Sequence, residues 1–263
     1  MGKDNITKLI EQDLEVPKKF ERREKDANNR KTYDEVFDQA TLLNISKLIS
    51  SKVISTVDYP ISSGKEANIF KASRPDGSPV AMKIYRLATS TFKNIIRYID
   101  GDRRFKHLKR DHRSIIYAWA KKEFKNLERM LEVNVRVPEP ITYLKNILIM
   151  EFISNGDPPA PELRLVQIDK PAARFKYIVE QIKKIYKDGG LVHGDLSEYN
   201  ILVSNGELVI IDVGQAMLYD HPIAKELLIH DIQNIAHYFK RTYKIKINEE
   251  RIKTEILSLR VEE

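Results

Sequence analysis

The chain contains no cysteine. That excludes a disulfide framework and a thiolate metal site, and makes a reducing interior the expected home. Its six histidines include no pair at helical ligand spacing beside an acid, so an imidazole-held zinc is not expected either. No apolar run approaches the roughly twenty residues that cross a bilayer, and the N-terminus lacks the charged-then-apolar pattern of a secretion signal. Met1-Gly2 opens like a myristoylation site, but Ile6 stands where that motif needs Ser or Thr. A soluble, cytoplasmic protein with no membrane partner is the expectation. Glycine is scarce, ten in 263 residues, and these form neither a G-x-G-x-x-G run nor a Walker loop.

What the chain does have is charge, unevenly placed. The net charge is +7, and from Arg86 to Arg113 nine Lys or Arg face three Asp, so one segment carries most of the excess. It is a solvated lid or a phosphate-attracting surface, and the interleaved Phe92, Tyr98 and Phe105 suit base stacking. A length of 263 residues accommodates a two-lobed enzyme with real cores.

In chain order, residues 1 to 31 read as a charged arm. Thr32 and Glu35 form a capping box, followed by Val36, Phe37, Ala40, Leu43, Leu48 and Ile49 at helical spacing. Strands are predicted over residues 56–61, 68–72 and 80–85 as an antiparallel meander, with a small-residue turn from Ser62 to Ala67 between the first two. Lys83, inward on the third strand, needs an anion. The helix predicted over 114–133 offers Glu123, with Glu128 as the fallback, on a stripe of Tyr117, Ala120, Phe124, Leu127 and Leu131. Strands at 141–144 and 147–152 end in the breaker run Asn155-Gly156-Asp157-Pro158-Pro159, which reads as a hinge. Helices are expected over 171–187, 223–239 and 248–259. The resulting domains are an arm and helix at 1–50, an N-terminal lobe at 51–152 and a C-terminal lobe at 153–263.

The chemistry concentrates between Gly190 and Ala216. Asn205-Gly206 joins two β-favouring runs, the strongest short hairpin signal. Asp195 precedes the hairpin, Asn200 opens its first strand and Asp212 closes its second. Three hard oxygen donors at one end of one hairpin suit a phosphate-bound Mg²⁺. Asp, four residues, Asn, then a second Asp before Gly is also the spacing of the protein-kinase catalytic loop.

Together SSGKEANIF at 62–70, VAMKIYR at 80–86, MEFI at 150–153, HGDLSEYNILV at 193–203 and IDVGQA at 211–216 resemble the RIO family of atypical serine/threonine protein kinases. The likeness is to the branch without an N-terminal winged helix and to an archaeal member. The resemblance implies an α+β, trimmed two-lobed kinase fold, with an antiparallel N-lobe sheet, one main helix and a small helical C-lobe. It implies ATP with Mg²⁺ or Mn²⁺, autophosphorylation on serine, and a role in small ribosomal subunit maturation, with the pre-small-subunit particle as partner. It also implies turnover chiefly as an ATPase through a phosphorylated aspartate, here Asp212. Asp195 takes the role of base, and Asn200 and Asp212 hold the metal. Lys83 and Glu123 position phosphates under a cover of Ser62, Ser63, Lys65 and Glu66. Met150 borders the adenine, and the backbones of Glu151 and Ile153 meet its edge.

The chain departs from ordinary kinases where Gly194 replaces the Arg that reads a phosphorylated activation loop. No Ala-Pro-Glu follows Asp212, and 51 residues remain after it, so poor phosphorylation of free peptides is expected. A monomer is expected. Two other readings stay open: a nucleotide-switched rRNA-binding assembly factor, and a small-molecule kinase of the aminoglycoside or choline type.

Overall fold

Asp38 starts the first described helix by accepting the Thr41 N–H on its Oδ1 at 2.7 Å, and that helix, α1, runs Gln39–Ser50. The computed structural model describes residues 37–87, 92–99, 101–106 and 108–260. The predicted arm, the Thr32–Glu35 capping box and Val36 lie outside them. The chain divides into two units: the described parts of Met1–Phe92, Lys109–Lys121 and Ile141–Phe152, and those of Lys93–Leu108, Lys122–Pro140 and Ile153–Glu263.

The first unit is built on a five-stranded sheet in the order β1-β2-β3-β5-β4. Its strands are β1 Thr56–Ser63, β2 Ala67–Ser73, β3 Pro79–Tyr85, β4 Pro140–Leu144 and β5 Ile147–Glu151, with β1 to β3 the expected antiparallel meander. Pro60 is tolerated because β1 is an edge strand, and the ladder is irregular on either side of it. Phe70, Ala72, Val80, Met82, Ile84, Ile147 and Ile149 join Ile45 and Leu48 of α1 in one core. Side chains alternate along a strand, so Lys83 faces the other way from Met82 and Ile84.

One expectation for α1 fails. Leu43 and Ile49 are exposed, at 51% and 38%, while Thr41 and Asn44 are buried. A polar trio explains this: Asn44 Nδ2 donates to Asn146 Oδ1, and Asn146 Nδ2 donates to Thr41 Oγ1 and the Tyr85 carbonyl. Buried amides that satisfy one another can take core positions that apolar periodicity assigns to leucine.

In the second unit, α2 spans Phe92–Ile99. Helix α3, His112–Glu132, is divided between the units at Lys121 and Lys122. Helices α4 Pro171–Lys187, α5 Ala224–Tyr243 and α6 Glu249–Ser258 follow, close to the predicted spans. Two small ladders complete it: β6 Leu191–Val192 with β9 Met217–Leu218, and β7 Ile201–Ser204 with β8 Glu207–Ile210. Asn205 and Gly206 both have positive φ, 47° and 82°, as a type I′ hairpin turn requires. The breaker run after Ile153 is no loose connector. Ala160 N–H donates to the Ile153 carbonyl, and Ser204 Oγ and Asn205 N–H bond Ser154 and Asn155, so the run is pinned to the hairpin. Among the described residues no helix is long and apolar enough to cross a membrane.

The stripe predicted for α3 is also turned. Trp119, Ala120, Lys122, Glu123, Asn126, Leu127 and Met130 are buried, whereas Tyr117, Phe124 and Leu131 are half-buried. Three polar residues occupy the inner face, and sequence periodicity reads such residues as solvent-facing.

Candidate active site

The loop from His193 to Asn200 begins where β6 ends and leads into the β7–β8 hairpin. His193 is buried, with Nε2 3.2 Å from the Ile211 carbonyl, and its Nδ1 accepts the Asp195 N–H at 3.3 Å. Those partners select the neutral tautomer with the proton on Nε2. Burial pushes its pKa down to about 4, against the Ile211 carbonyl and the Asp212 charge. An imidazole that is neutral in the fold and protonatable in the unfolded chain contributes stability above pH 6.5 that is lost as pH falls toward 4. On unfolding titrations between these limits, wild type should lose about 3 kcal/mol more than His193→Gln. Parallel pH profiles would refute that assignment.

Asn200 ties the functional groups together. Its Nδ2 donates to the Asp195 carbonyl at 2.7 Å and to Asp195 Oδ2 at 3.4 Å. Its own carbonyl accepts the Ile211 N–H at 3.0 Å, one residue before Asp212. The hairpin therefore gathers Asp195, Asn200 and Asp212 as the spacing predicts. Asp212 is exposed and holds φ 58°, a left-handed backbone that a non-glycine residue adopts at a cost of order 1 kcal/mol. The Asp195 carboxyl is pushed up to about 6, first by the protein packed around it and then by the negative charge of Asp212. The Asp212 charge thus adds to the proton affinity of Asp195.

Several functional residues escape sequence reasoning. Gln215 Nε2 donates to Asp195 Oδ2 at 3.2 Å, so the catalytic candidate is held from two sides. Asp231, buried on α5, accepts the Gly194 and Leu196 N–H groups at 2.9 and 2.7 Å, gripping the backbone on both sides of Asp195. The available signal was an acid on the apolar stripe of Leu228, Ile232 and Ile235. Gly194 has φ 83°, which explains why no arginine stands there.

The turn after Asp212 is held by its carbonyls. Asn126 Nδ2 bonds Val213 O and Ala216 O at 2.8 and 2.9 Å, and Lys122 Nζ bonds Gly214 O at 2.7 Å. Arg104 Nη1 donates to Asn126 Oδ1 at 2.8 Å and its Nη2 to Asp102 at 2.6 Å. Arg104, in the segment read from the sequence as an RNA or lid contact, is thus bound to Asn126 and Asp102 although it is exposed, as is Arg103, which pairs with Asp220 at 3.4 Å. Glu128, the fallback partner for Lys83, forms a surface pair with Lys125 at 2.6 Å.

The remaining predicted residues lie as follows. Ser62, Ser63 and Lys65 are exposed and Glu66 half-buried at the β1–β2 turn, where Ser63 Oγ donates to Asn68 Oδ1 at 2.7 Å and the Arg86 N–H donates to the Glu66 carbonyl. Lys83 and Met150 are buried in the sheet, Glu123 is buried on α3, and Glu151 ends β5, half-buried. Ile153 is buried, and its carbonyl accepts the Ala160 N–H. Among the described residues no group of three or more His, Cys, Asp or Glu could hold a metal. Asn200 Oδ1 and the Asp212 carboxylate, two hard oxygens, would fit only a cation that takes its other ligands from phosphate and water.

Comparison with known proteins gives the family and the fold. The RIO domain matches residues 68–252. The chain is 41% identical over 238 residues to the RIO-type serine/threonine-protein kinase Rio1 of Haloferax volcanii, covering 90% of this chain and 81% of that one. It is 43% identical over 222 residues to the protein of the same name in Methanocaldococcus jannaschii, covering 84% and 76%. The human serine/threonine-protein kinase RIO1 is 38% identical over 221 residues, 82% of this chain but 39% of its own length. Among solved structures, the Rio2 kinase of Chaetomium thermophilum in its ADP/Mg²⁺-phosphoaspartate complex shares the fold at TM-score 0.63 and 23% identity, over 81% of this chain and 65% of that one. A kinase-like fold, a domain match over most of the chain and relatives above 40% identity together place this chain in the RIO family of atypical serine/threonine protein kinases.

Proposed function

We propose that the protein transfers the terminal phosphoryl group of ATP, with Mg²⁺ or Mn²⁺, to a serine hydroxyl or to water, and that it does so in maturation of the small ribosomal subunit. The observation that carries the reading is the single hydrogen-bonded cluster of Asp195, Asn200 and Gln215 with Asp212 one residue from the Asn200–Ile211 bond. Asp195 orients the incoming hydroxyl and accepts its proton. Asn200 and Asp212 hold the divalent ion, which when bound neutralises charge on the phosphates. Lys83, a buried cation, holds the phosphates and Glu123 fixes Lys83. Ser62, Ser63, Lys65 and Glu66 cover them, while Met150, Glu151 and the Ile153 N–H receive the adenine. Catalysis of this kind is positioning plus charge neutralisation.

The first test is Asp212→Asn. Removing one of two protein ligands should abolish metal-dependent tightening of nucleotide binding, and an Mg²⁺ titration of ADP affinity unchanged from wild type would sink the metal assignment. A panel of aminoglycoside and choline-type acceptors, all left unphosphorylated, is the expected result against the small-molecule alternative. The rRNA-binding reading rests on the exposed members of the basic segment. Neutralising Arg103 alone, not Arg104, is its proper test, because loss of Arg104 would also disturb the Asn126 network.

A further inference from the structure

Outside the candidate active site, the second unit holds a second concentration of charge. The guanidinium of Arg129, near the end of α3, and that of Arg260, beyond α6, converge on Gly190. A Cβ added to Gly190 would stand 2.8 Å from Arg129 Nη2 and 3.2 Å from Arg260 Nη2. Only a residue without a side chain leaves room for both. Arg260 is fixed: its Nε donates to the Tyr186 carbonyl at 2.7 Å, its Nη2 bonds the Lys187 carbonyl, and its plane lies 3.8 Å from the centroid of the Tyr219 ring. These partners are neutral, so the charge of Arg260 is not cancelled by them. Arg129 makes no hydrogen bond or ion pair within the described residues.

The nearby acids do not balance the niche. Asp102 is committed to Arg104 and Asp220 to Arg103. Glu132 is the acid that acts on Arg129, and it ranks behind Arg104 and Arg260; partial burial and these like charges hold the Arg129 guanidinium below the ordinary arginine range. Two guanidinium groups brought together over bare backbone are mutually repulsive unless an anion completes them.

We propose that Arg129 and Arg260, over Gly190, form a binding site for a phosphate dianion, either orthophosphate or a phosphomonoester. A dianion matches two guanidinium charges, and its tetrahedral oxygens accept from both forks at once. A phosphodiester of nucleic acid carries one charge per phosphate and fits less well. The site is independent of the kinase reading, since none of its residues belongs to the proposed phosphoryl-transfer machinery.

The test is calorimetric titration of the full chain with inorganic phosphate and with phosphoserine at pH 8, where the monoester is dianionic, at constant ionic strength. Wild type should show saturable binding. Arg129→Gln should weaken it by about tenfold to a hundredfold, the loss typical of a hydrogen bond to a charged group. Arg260→Gln should do the same, but it also removes the contacts to Tyr186 and Lys187. Arg129→Gln, which breaks no bond in the described residues, therefore decides the matter if Arg260→Gln fails to fold. Arg164→Gln, at a surface pair with Glu162, serves as the control and should bind as wild type does. Absence of saturable binding, or equal binding in Arg129→Gln, overturns the site. A phosphodiester oligonucleotide lacking terminal phosphate, bound more tightly than orthophosphate in an Arg129-dependent way, overturns the dianion assignment. Glu262 and Glu263 lie outside the described residues; phosphate binding seen only after both are changed to Gln would mean that the chain fills its own niche, and the proposal fails.

Discussion

Asp195→Ala is expected to lower turnover by about 10² to 10⁴, the usual worth of a positioned general base, while ATP binding stays within a few-fold of wild type. The expectation separates the two because the proposed role gives Asp195 the orienting of the hydroxyl and no part in gripping the nucleotide. Its carboxylate is held by Asn200 Nδ2 and Gln215 Nε2 and pushed up to about 6, which raises its appetite for a proton without disabling it near neutrality. Asp195→Asn tests the charge separately. It keeps the shape, loses the base, and should be nearly as slow. Single-turnover rates and nucleotide titration on both variants are the measurements. Near-wild-type turnover in Asp195→Ala would remove the residue from the mechanism.

Asp231→Ala should cost more in stability than any change at the loop it supports. The substitution strands two buried N–H groups, those of Gly194 and Leu196, each worth about 1–3 kcal/mol when left unpaired. A total loss of about 2–6 kcal/mol is a large share of a domain's 5–15 kcal/mol. Asp231→Asn keeps one acceptor oxygen and should lose about half as much. Turnover should fall in both, because the backbone flanking Asp195 is no longer pinned. The charge leaves its own signature: burial raises the Asp231 carboxyl to about 7 against the pull of the two amides. Between about pH 4 and 7 the folded chain then holds a proton the unfolded chain has released, so this residue's contribution shrinks as pH rises through that window. Asp231→Asn should abolish that slope. Denaturant unfolding of the three proteins across the window checks both statements, and Asp231→Ala with wild-type stability and turnover would refute them.

The two residues therefore push the pH profile in opposite directions. His193 loses stability toward acid and Asp231 toward neutrality; the first lies in the loop that carries Asp195, and the second holds that loop from α5. Comparing His193→Gln with Asp231→Asn isolates each slope, provided the variants remain folded at the acid limit.

Local signals made much of this protein legible from its sequence. The Asn205-Gly206 turn fixed the hairpin, because its two positive-φ positions admit little else. The hairpin in turn placed Asn200 and Asp212 at one end, since strand pairing puts their backbones in register. Pro171 and Gly189 bracketed α4, and residues 80–86 and 193–203 carried the family. What required tertiary structure was the placing of polar side chains such as Asn44, Lys122, Asn126 and Asp231 at core positions. Hydrophobic periodicity assigns such residues to solvent, because burial of a polar group is favourable only when its partner is present. That partner comes from a distant stretch of chain, Asn146 for Asn44 or Gly194 and Leu196 for Asp231. The same holds for Arg104, basic in the sequence and structural in the fold, and for Gly190, whose missing side chain gains meaning only when α3 and the end of the chain bring two arginines above it.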